Sequence, residues 1–348
     1  MFSRFIARML DWLVAIAVVC ALLWFLITQP LFPVPSANNL PQVNQANLKN
    51  HVTNLLHINT SRELAKESLS TDSYIFNYFA RLGRPTLQGY STMGGRHNNV
   101  RLRVGPKTGE RVVIGVQYLP PTGSDRQYWN PSGIATLLET ARILSLSKDE
   151  LPISVEFVAY ASAGVAANGT LDMGSFHHAK QLKNANIPVK LMIALRSVGY
   201  FTEEHRSQRY PFSFMRMLYP DTGNFVALST RLQDFTTIRS VKNSFASIQD
   251  LAVESFSAPE SFPLVAGSDH VNYWLNDYPA VQVSDMLPLR VPAKGYSQEM
   301  AVLNYERIAQ VVQGLTRVVA DLGGSTKKTS NESSYLSRLL ERVTDVFE

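Results

Sequence analysis

The stretch MIALRSVGY, from Met192 to Tyr200, joins the pattern of a buried strand to a fixed charge. Its first four residues are apolar, and Val198 and Gly199 resume the run before the closing tyrosine, which is typical of a core strand. Arg196 interrupts that pattern. A guanidinium group keeps its proton in proteins, so it must meet anions or water wherever it lies. The stretch therefore predicts a core strand whose end carries a permanent positive charge.

Similar apolar runs recur along the chain and alternate with helical patterns. Strands are predicted at residues 99–104, 111–117, 153–160, 189–195 and 279–284. Helices are predicted at residues 51–56, 75–82, 131–144, 176–182, 230–245 and 305–322. The alternation predicts an α/β fold, a three-layer sandwich in which a mostly parallel mixed sheet is flanked by helices. In such folds the site lies beyond the carboxyl ends of the strands, here at residues 117–118, 161–162, 196–197 and 284–285.

The N-terminus predicts a transmembrane helix. Residues 11–28 form an almost uninterrupted apolar run, nearly long enough for a helix that crosses a bilayer. Arg4 and Arg8 precede it, so the positive-inside rule predicts a cytoplasmic N-terminus at residues 1–10 and a domain on the outer side. A cleaved signal peptide is the alternative, although residues 28–30 make a poor cleavage site.

The rest of the chain divides by composition. Residues 29–45 are rich in Pro, Asn and Gln and predict an extended stalk, and residues 46–322 predict the globular domain. Residues 323–334 predict a linker. Residues 335–348 predict a short amphipathic helix, which packs on its own domain or docks on a partner or the membrane surface.

Charge and cysteine content limit the partners and the compartment. The net charge of +5 comes from basic residues that are spread along the chain with acids between them, so no nucleic-acid partner is predicted. The single cysteine, Cys20, lies inside the predicted span, so the exported domain has no disulfides. Together these features predict a single-pass protein of a bacterial inner membrane, with its domain in the periplasm.

The strand ends carry motifs in a recognisable order. A strand is followed by an Asn-x-Ser-Gly helix start, a Phe-Val-Ala-Tyr strand, a Met-Ile-x-Leu-x-x-x-Gly-Tyr strand, Ser-Asp-His and a Tyr-Pro-Ala-Val strand. That order and spacing, from about His51 to Leu322, resemble the M28 family of zinc aminopeptidases. The resemblance implies a zinc-aminopeptidase (phosphorylase/hydrolase-like) fold. In active members it also implies two zinc ions that share an activated water, which attacks a peptide carbonyl.

The positions that the resemblance assigns to metal ligands and to the general base hold other residues here. The first histidine of the family corresponds to Gln117, and the bridging aspartate corresponds to Trp129. The general-base glutamate and the adjacent glutamate ligand correspond to Ala163 and Gly164. The carboxylate of the Leu-x-x-x-Gly-Tyr strand corresponds to Arg196, which explains the charge in the opening stretch.

The last family histidine falls near Lys294, in a stretch from Val291 to Met300 that contains no histidine. These positions therefore supply no carboxylate and add one or two cations. At an effective dielectric near 20, like charges about 4 Å apart repel by roughly 4 kcal/mol. We therefore expect no zinc site and no cofactor.

Two interpretations of Arg196 follow. It forms an anion pocket with Lys294, which would hold a carboxylate or a peptide C-terminus. Alternatively, it makes an internal salt bridge to Asp269, Asp285 or Asp125 and fills the vacated site.

Three further features have alternative interpretations. Trp129 fills the vacated pocket or offers a stacking wall for a ligand. Asp269 and His270 form a pair that pins a loop, or they act in acid–base catalysis. His177 and His178 are predicted to be surface histidines on two faces of a helix.

The expected function is that of a membrane-anchored pseudo-peptidase that binds a protein or peptide partner. One alternative is an M28-type peptidase or other hydrolase with an atypical site. Another is a structural module whose stalk and C-terminal helix matter more than its pocket.

Overall fold

The computed structural model describes residues 2–29, 41–63, 70–93, 95–118, 130–162, 171–262, 264–286, 289–290 and 303–324. Its helices are α1 Phe2–Thr28, α2 Gln45–Glu63, α3 Thr71–Leu82, α4 Pro131–Leu146, α5 Gly174–Asn184, α6 Phe235–Ala246, α7 Asp269–Trp274 and α8 Tyr305–Gly324. Its strands are β1 Thr86–Thr92, β2 Gly95–Val104, β3 Arg111–Gln117, β4 Ser154–Tyr160, β5 Val189–Leu195, β6 Val226–Arg231, β7 Val253–Ala258 and β8 Ala280–Ser284.

These strands form one sheet in the order β1-β2-β4-β3-β5-β8-β6-β7. The four central strands, β4, β3, β5 and β8, run parallel to one another. Both flanks contain antiparallel pairs, β1 with β2 and β6 with β8. The predicted mixed, mostly parallel sheet is therefore confirmed, and the carboxyl ends of its central strands meet at one edge.

Helices cover both faces of the sheet and complete the three-layer sandwich. Apolar side chains of α2, α3, α4, α6 and α8 pack on one face against alternate residues of the central strands, such as Ile114 and Ile193. The opposite face is covered by α5 and α7, which pack against the intervening residues, such as Val113 and Met192. Alternation along each strand sends neighbouring side chains to opposite layers, and every residue of β4 is buried.

Local signals predicted β3 and β5 with their observed ends, and they predicted the start of α4. The Asn130 side chain accepts a hydrogen bond from Gly133 N at 2.9 Å, and Pro131 takes the first helical position, as expected for a capped helix. The helix predicted at 230–245 is wrong at its start, because Thr230 and Arg231 belong to β6 and the helix begins at Phe235. Strands β1, β6 and β7 and helix α7 had no sequence prediction.

The end of α1 contacts the domain at the β7 edge of the sheet. Trp24 Nε1 donates to Tyr219 Oη at 3.1 Å, and Ser255 Oγ of β7 donates to Thr28 O at 2.6 Å. Lys242 Nζ donates to Gln29 Oε1 at 3.0 Å. The stalk predicted from residue 29 thus begins with a residue that already touches the domain, and residues 30–40 lie outside the described part. A helix end that covers an edge strand also protects it from pairing with another chain.

Within α1, the segment Arg8–Leu26 is long and apolar enough to cross a membrane. By length and composition it fits a membrane anchor or a signal sequence. The predicted C-terminal helix at 335–348 and most of the predicted linker at 323–334 lie outside the described residues, although Gly323 and Gly324 still belong to α8.

Candidate functional site at the carboxyl edge of the sheet

Two of the six positions that the resemblance assigns to metal ligands or to the general base lie next to each other at the carboxyl edge. Val116 of β3 pairs with Leu195 of β5 in parallel register, so the next residues, Gln117 and Arg196, follow at the ends of neighbouring strands. Both side chains are half-buried. The position of the family's first histidine and that of its strand-end carboxylate are therefore adjacent, as the resemblance implies, but they present an amide and a guanidinium group.

The loop that carries Arg196 is held by Asp285 at the end of β8. Asp285 Oδ2 accepts hydrogen bonds from Gly199 N at 3.0 Å and from Tyr200 N at 2.9 Å. The Asp285 amide donates to Ser197 O at 2.6 Å. A carboxylate that accepts two backbone N–H groups fixes the path of the loop, so Arg196 projects from a backbone that is held on its C-terminal side.

Arg290 also holds this loop in place, and the sequence did not predict this role. Its guanidinium group donates to Tyr200 O and to Phe225 O at 2.6 Å, and it lies over the Phe201 ring at 5.3 Å. Burial lowers the pKa of Arg290 to about 10, against the raising effect of Asp285. A single arginine in a Leu-Pro-Leu-Arg-Val-Pro run has no sequence signal that would indicate this role.

Asp269 and His270 lie in the first turn of α7, not on an irregular segment as predicted. Both side chains are buried, and Asp269 Oδ1 and His270 Nδ1 have no hydrogen-bond partner within the described part of the chain. Burial raises the pKa of Asp269 to about 6, although a hydrogen bond from Ser175 and the charge of Arg196 lower it. Arg196 therefore lies close enough to act electrostatically on the start of α7.

Asp269 and His270 form hydrogen bonds with different partners and do not form a pair. His270 Nε2 lies 2.8 Å from Val265 O, so Nε2 carries the proton and Nδ1 is the acceptor. Burial, together with the charge of Arg196, lowers the pKa of His270 to about 3 against the raising effect of the Val265 hydrogen bond. Asp269 instead faces Ser175 of α5, whose Oγ also accepts from Asn272 Nδ2 at 2.9 Å.

Other predicted site residues lie outside the described residues: Trp129, Ala163, Gly164 and Lys294. Their place in the site stays a prediction, as does the role of Asp125. The sequence still limits what these segments contribute. Residues 119–129, 163–170 and 291–302 contain no histidine and two acids, Asp125 and Glu299.

The residues present do not fit the two zinc ions that the fold implies. Zinc in proteins is held by histidine nitrogen, cysteine sulfur and carboxylate oxygen. Within the described ranges, no three such side chains are grouped closely enough to hold a metal ion. At the two strand ends where the resemblance places such donors, Gln117 and Arg196 carry an amide and a cation, and a cation next to a metal ion repels it.

A second group of charges is buried between the sheet and the α5/α7 layer. We call Arg101, Arg111, Glu156 and His178 the buried cluster. Glu156 Oε1 lies 2.5 Å from Arg101 Nη2, and its Oε2 lies 2.7 Å from Arg111 Nη1. His178 is fully buried, with Nε2 at 3.5 Å from Glu156 Oε1, so the prediction of a surface histidine is wrong.

A concave surface lies between α2 and α3. It encloses ≈ 430 Å³. Its lining residues are polar or aromatic: Asn47, Asn50, His51, Asn54, Tyr74, Asn77, Tyr78 and Arg81.

The fold defines the class. The chain has the fold of zinc-dependent exopeptidases and related enzymes. LapB from Legionella pneumophila superposes with a TM-score of 0.57 and 21% identity, over 81% of this chain and 73% of LapB. The glutaminyl cyclase of Porphyromonas gingivalis gives 0.55 and 15%, over 80% and 98%. A Zn-dependent exopeptidase from Parabacteroides distasonis gives 0.53 and 14%, over 80% and 99%.

Sequence similarity gives the family. The chain is 34% identical over 309 residues to the uncharacterized protein YfbL of Escherichia coli (strain K12), across 84% of this chain and 94% of that protein. It therefore belongs to the same family as YfbL. No protein-family model matches the chain.

Proposed function

We propose that this chain is a membrane-anchored, non-catalytic member of the aminopeptidase-like fold. Its domain lies outside the cytoplasm, and the carboxyl edge of its sheet binds a protein or peptide. The observation that carries the proposal is that Gln117 and Arg196 follow the paired residues Val116 and Leu195, at strand ends where the resemblance places a histidine and a carboxylate.

The surroundings of Arg196 support binding. Asp285 and Arg290 hold the loop that follows it, so the guanidinium group projects from an ordered backbone. A planar guanidinium group on a fixed backbone suits bidentate recognition of a carboxylate, such as a peptide C-terminus or an acidic side chain. The side chain is half-buried, which leaves it partly accessible to a partner.

The absence of catalysis is tested on the full chain in lipid nanodiscs. We expect less than stoichiometric zinc by elemental analysis and no release of amino acids from peptides, before or after incubation with zinc. Two bound zinc ions per chain together with turnover would overturn the non-catalytic part of the proposal.

Carboxylate binding is tested with labelled peptides that carry a free or an amidated C-terminus. We expect the free form to bind more tightly and Arg196→Ala to reduce that binding by roughly 10-fold or more, because hydrogen bonds to a charged group contribute about 1.5–3 kcal/mol. Arg84→Ala removes an exposed arginine from the segment just before β1 and is the matched control. Equal binding of both peptide forms, or equal effects of both substitutions, would contradict a role for Arg196.

A further inference from the structure

Large apolar side chains are exposed on the segment that follows β5 and its loop. A short 3₁₀ helix at Ser213–Met217 places two buried side chains, Met215 and Tyr219, against the core. Other side chains of this segment are exposed to solvent. We call the exposed apolar residues of this segment the 212–218 patch: Phe212 (43% exposed), Phe214 (59%), Met217 (87%) and Leu218 (36%).

Contiguous exposed apolar side chains of this size mark interaction sites on soluble proteins. Within the patch, the Phe212 and Phe214 rings stack at 5.9 Å. Phe212 also packs on Phe262 at 5.5 Å. The two phenylalanine rings of the patch are therefore anchored to the domain through Phe262.

The position of α1 indicates what the patch binds. The apolar segment of α1 ends at Leu26, and Trp24 lies near that end, where tryptophan prefers the membrane–water interface. Trp24 donates a hydrogen bond to Tyr219, and their rings meet at 5.9 Å. Tyr219 follows Leu218 directly, so the patch adjoins the point at which α1 leaves the bilayer.

The charges around the patch fit a lipid surface. Arg209 and Arg216 are exposed close to the patch in the sequence, whereas Arg206 lies earlier on the segment beside the exposed acids Glu203 and Glu204. Basic side chains near a membrane surface are attracted to anionic headgroups by about 1 kcal/mol each. Phe, Leu and Met side chains can enter the boundary between headgroups and acyl chains while the arginines remain among the phosphates.

We infer that the 212–218 patch inserts into the outer leaflet of the membrane beside α1, so that the domain is held by two contacts. This inference rests on the membrane anchoring proposed above and is independent of peptide binding at the carboxyl edge. Membrane contact at the patch also brings the carboxyl edge of the sheet toward the bilayer. Met286, which directly follows Asp285, belongs to the same apolar cluster as Met215 and Tyr219, so the end of β8 is held close to the bilayer surface.

The test uses cysteine labelling of the full chain in nanodiscs of anionic and neutral phospholipid. Cys20→Ser removes the native thiol, and Met217→Cys then places an environment-sensitive fluorophore on the patch. Leu87→Cys is the matched control, because Leu87 is equally apolar and 54% exposed but lies on β1 at the opposite edge of the sheet, roughly 30 Å away at about 4.8 Å per strand. We expect nitroxide-labelled lipids to quench the Met217→Cys label and leave the Leu87→Cys label unquenched.

The native Cys20 separates the two ways in which the result could be negative. Cys20 is exposed on α1, so a label there is quenched by acyl-chain nitroxides when α1 spans the bilayer. Quenching at Cys20 without quenching at Met217→Cys would overturn the patch inference and leave the anchor intact, as expected if a protein or a second copy of the chain covers the patch. A lack of quenching at Cys20 would overturn the anchor and the patch inference together. Phe214→Cys is the second patch position and should behave like Met217→Cys.

Discussion

The buried cluster and the carboxyl edge both place arginine close to acidic side chains, but they use the charges differently. In the cluster, two guanidinium groups enclose one carboxylate at 2.5 and 2.7 Å. At the edge, Asp285 is bound to backbone N–H groups and Asp269 receives a hydrogen bond from Ser175. The cluster is a closed ion network inside the domain, whereas the edge arginine is half-buried and partly open to a partner.

The pKa shifts agree with this difference. Burial alone would raise the pKa of Glu156, but the charges of His178, Arg101 and Arg111 outweigh it and hold that pKa well below its usual range. For Asp269, burial dominates and the pKa rises to about 6 in spite of Arg196. The charge of Arg196 therefore does not offset the cost of burying the Asp269 carboxylate, whereas the cluster arginines offset that cost for Glu156. The cluster should matter for stability and the edge for binding.

The largest effect is expected from Glu156→Gln. The substitution removes the carboxylate and leaves Arg111 buried and Arg101 half-buried without their shared anion, which costs about 3 kcal/mol or more. Denaturant unfolding of the full chain in detergent measures the change. Glu110→Gln removes a carboxylate from an exposed pair with Lys190 at 3.4 Å and should change stability by less than about 1 kcal/mol. Equal effects of the two substitutions would show that the cluster is not a closed network.

A smaller effect is expected from His270 as the pH falls. Its pKa is lowered from 6.5 to about 3, so the unfolded chain binds the proton more readily than the folded one. The contribution of His270 to the free energy of unfolding therefore decreases as the pH falls from about 6.5 toward 3. The neighbouring Asp269 has its pKa raised from 3.8 to about 6. Its contribution to the free energy of unfolding has the opposite sign and increases as the pH falls from about 6 toward 4. The two contributions partly cancel in the wild type.

The difference between the wild type and His270→Gln isolates the histidine. Glutamine Nε2 can still donate to Val265 O, and Asp269 is present in both proteins. The stability advantage of the wild type should shrink by roughly 1–2 kcal/mol between pH 7 and pH 5, at about 1.4 kcal/mol per pH unit below 6.5. Unfolding curves at both pH values measure it. A difference that does not change with pH would mean that His270 is not held neutral at the start of α7.

Asn130→Ala should destabilise the chain by about 1–2 kcal/mol. The substitution removes the cap of α4 and the hydrogen bond from Asn130 Nδ2 to Leu195 O at 3.0 Å, which supports the backbone just before Arg196. Asn224→Ala, which removes an exposed hydrogen bond to Glu203, should stay within about 0.5 kcal/mol. Urea unfolding of both variants gives the comparison, and peptide binding should weaken in the Asn130 variant alone if the edge backbone positions Arg196.

The smallest effect on stability is expected from Arg196→Ala. Because the side chain is half-buried just after β5, its loss should change the free energy of unfolding by about 1 kcal/mol or less, while carboxylate binding is reduced as proposed. A loss of several kcal/mol without any change in binding would favour the internal salt bridge. The edge would then resemble the buried cluster, and the comparison would fail.

Much of the fold could be predicted because its signals are local. Apolar runs gave β3 and β5, Asn130 and Pro131 gave the start of α4, and the apolar N-terminal run gave the candidate span. The edge strands could not be predicted in the same way, because β1 is half-exposed with few large apolar residues and β6 contains serine, threonine and arginine. Their pairing depends on partner strands that lie far away in the sequence.

The same distinction between local and long-range features applies to the candidate site. The sequence by itself determined that Gln117 and Arg196 follow core strands, because strand ends are local features. Only the tertiary structure decided that Asp285 holds the Arg196 loop, that Arg290 supports it, and that Glu156 and His178 are buried with two arginines. Each of these arrangements joins residues that are distant in the chain, and burial then sets which groups stay charged. The contact between Trp24 and Tyr219, 195 residues apart, is of the same kind, since no local pattern encodes which surface a helix end will meet.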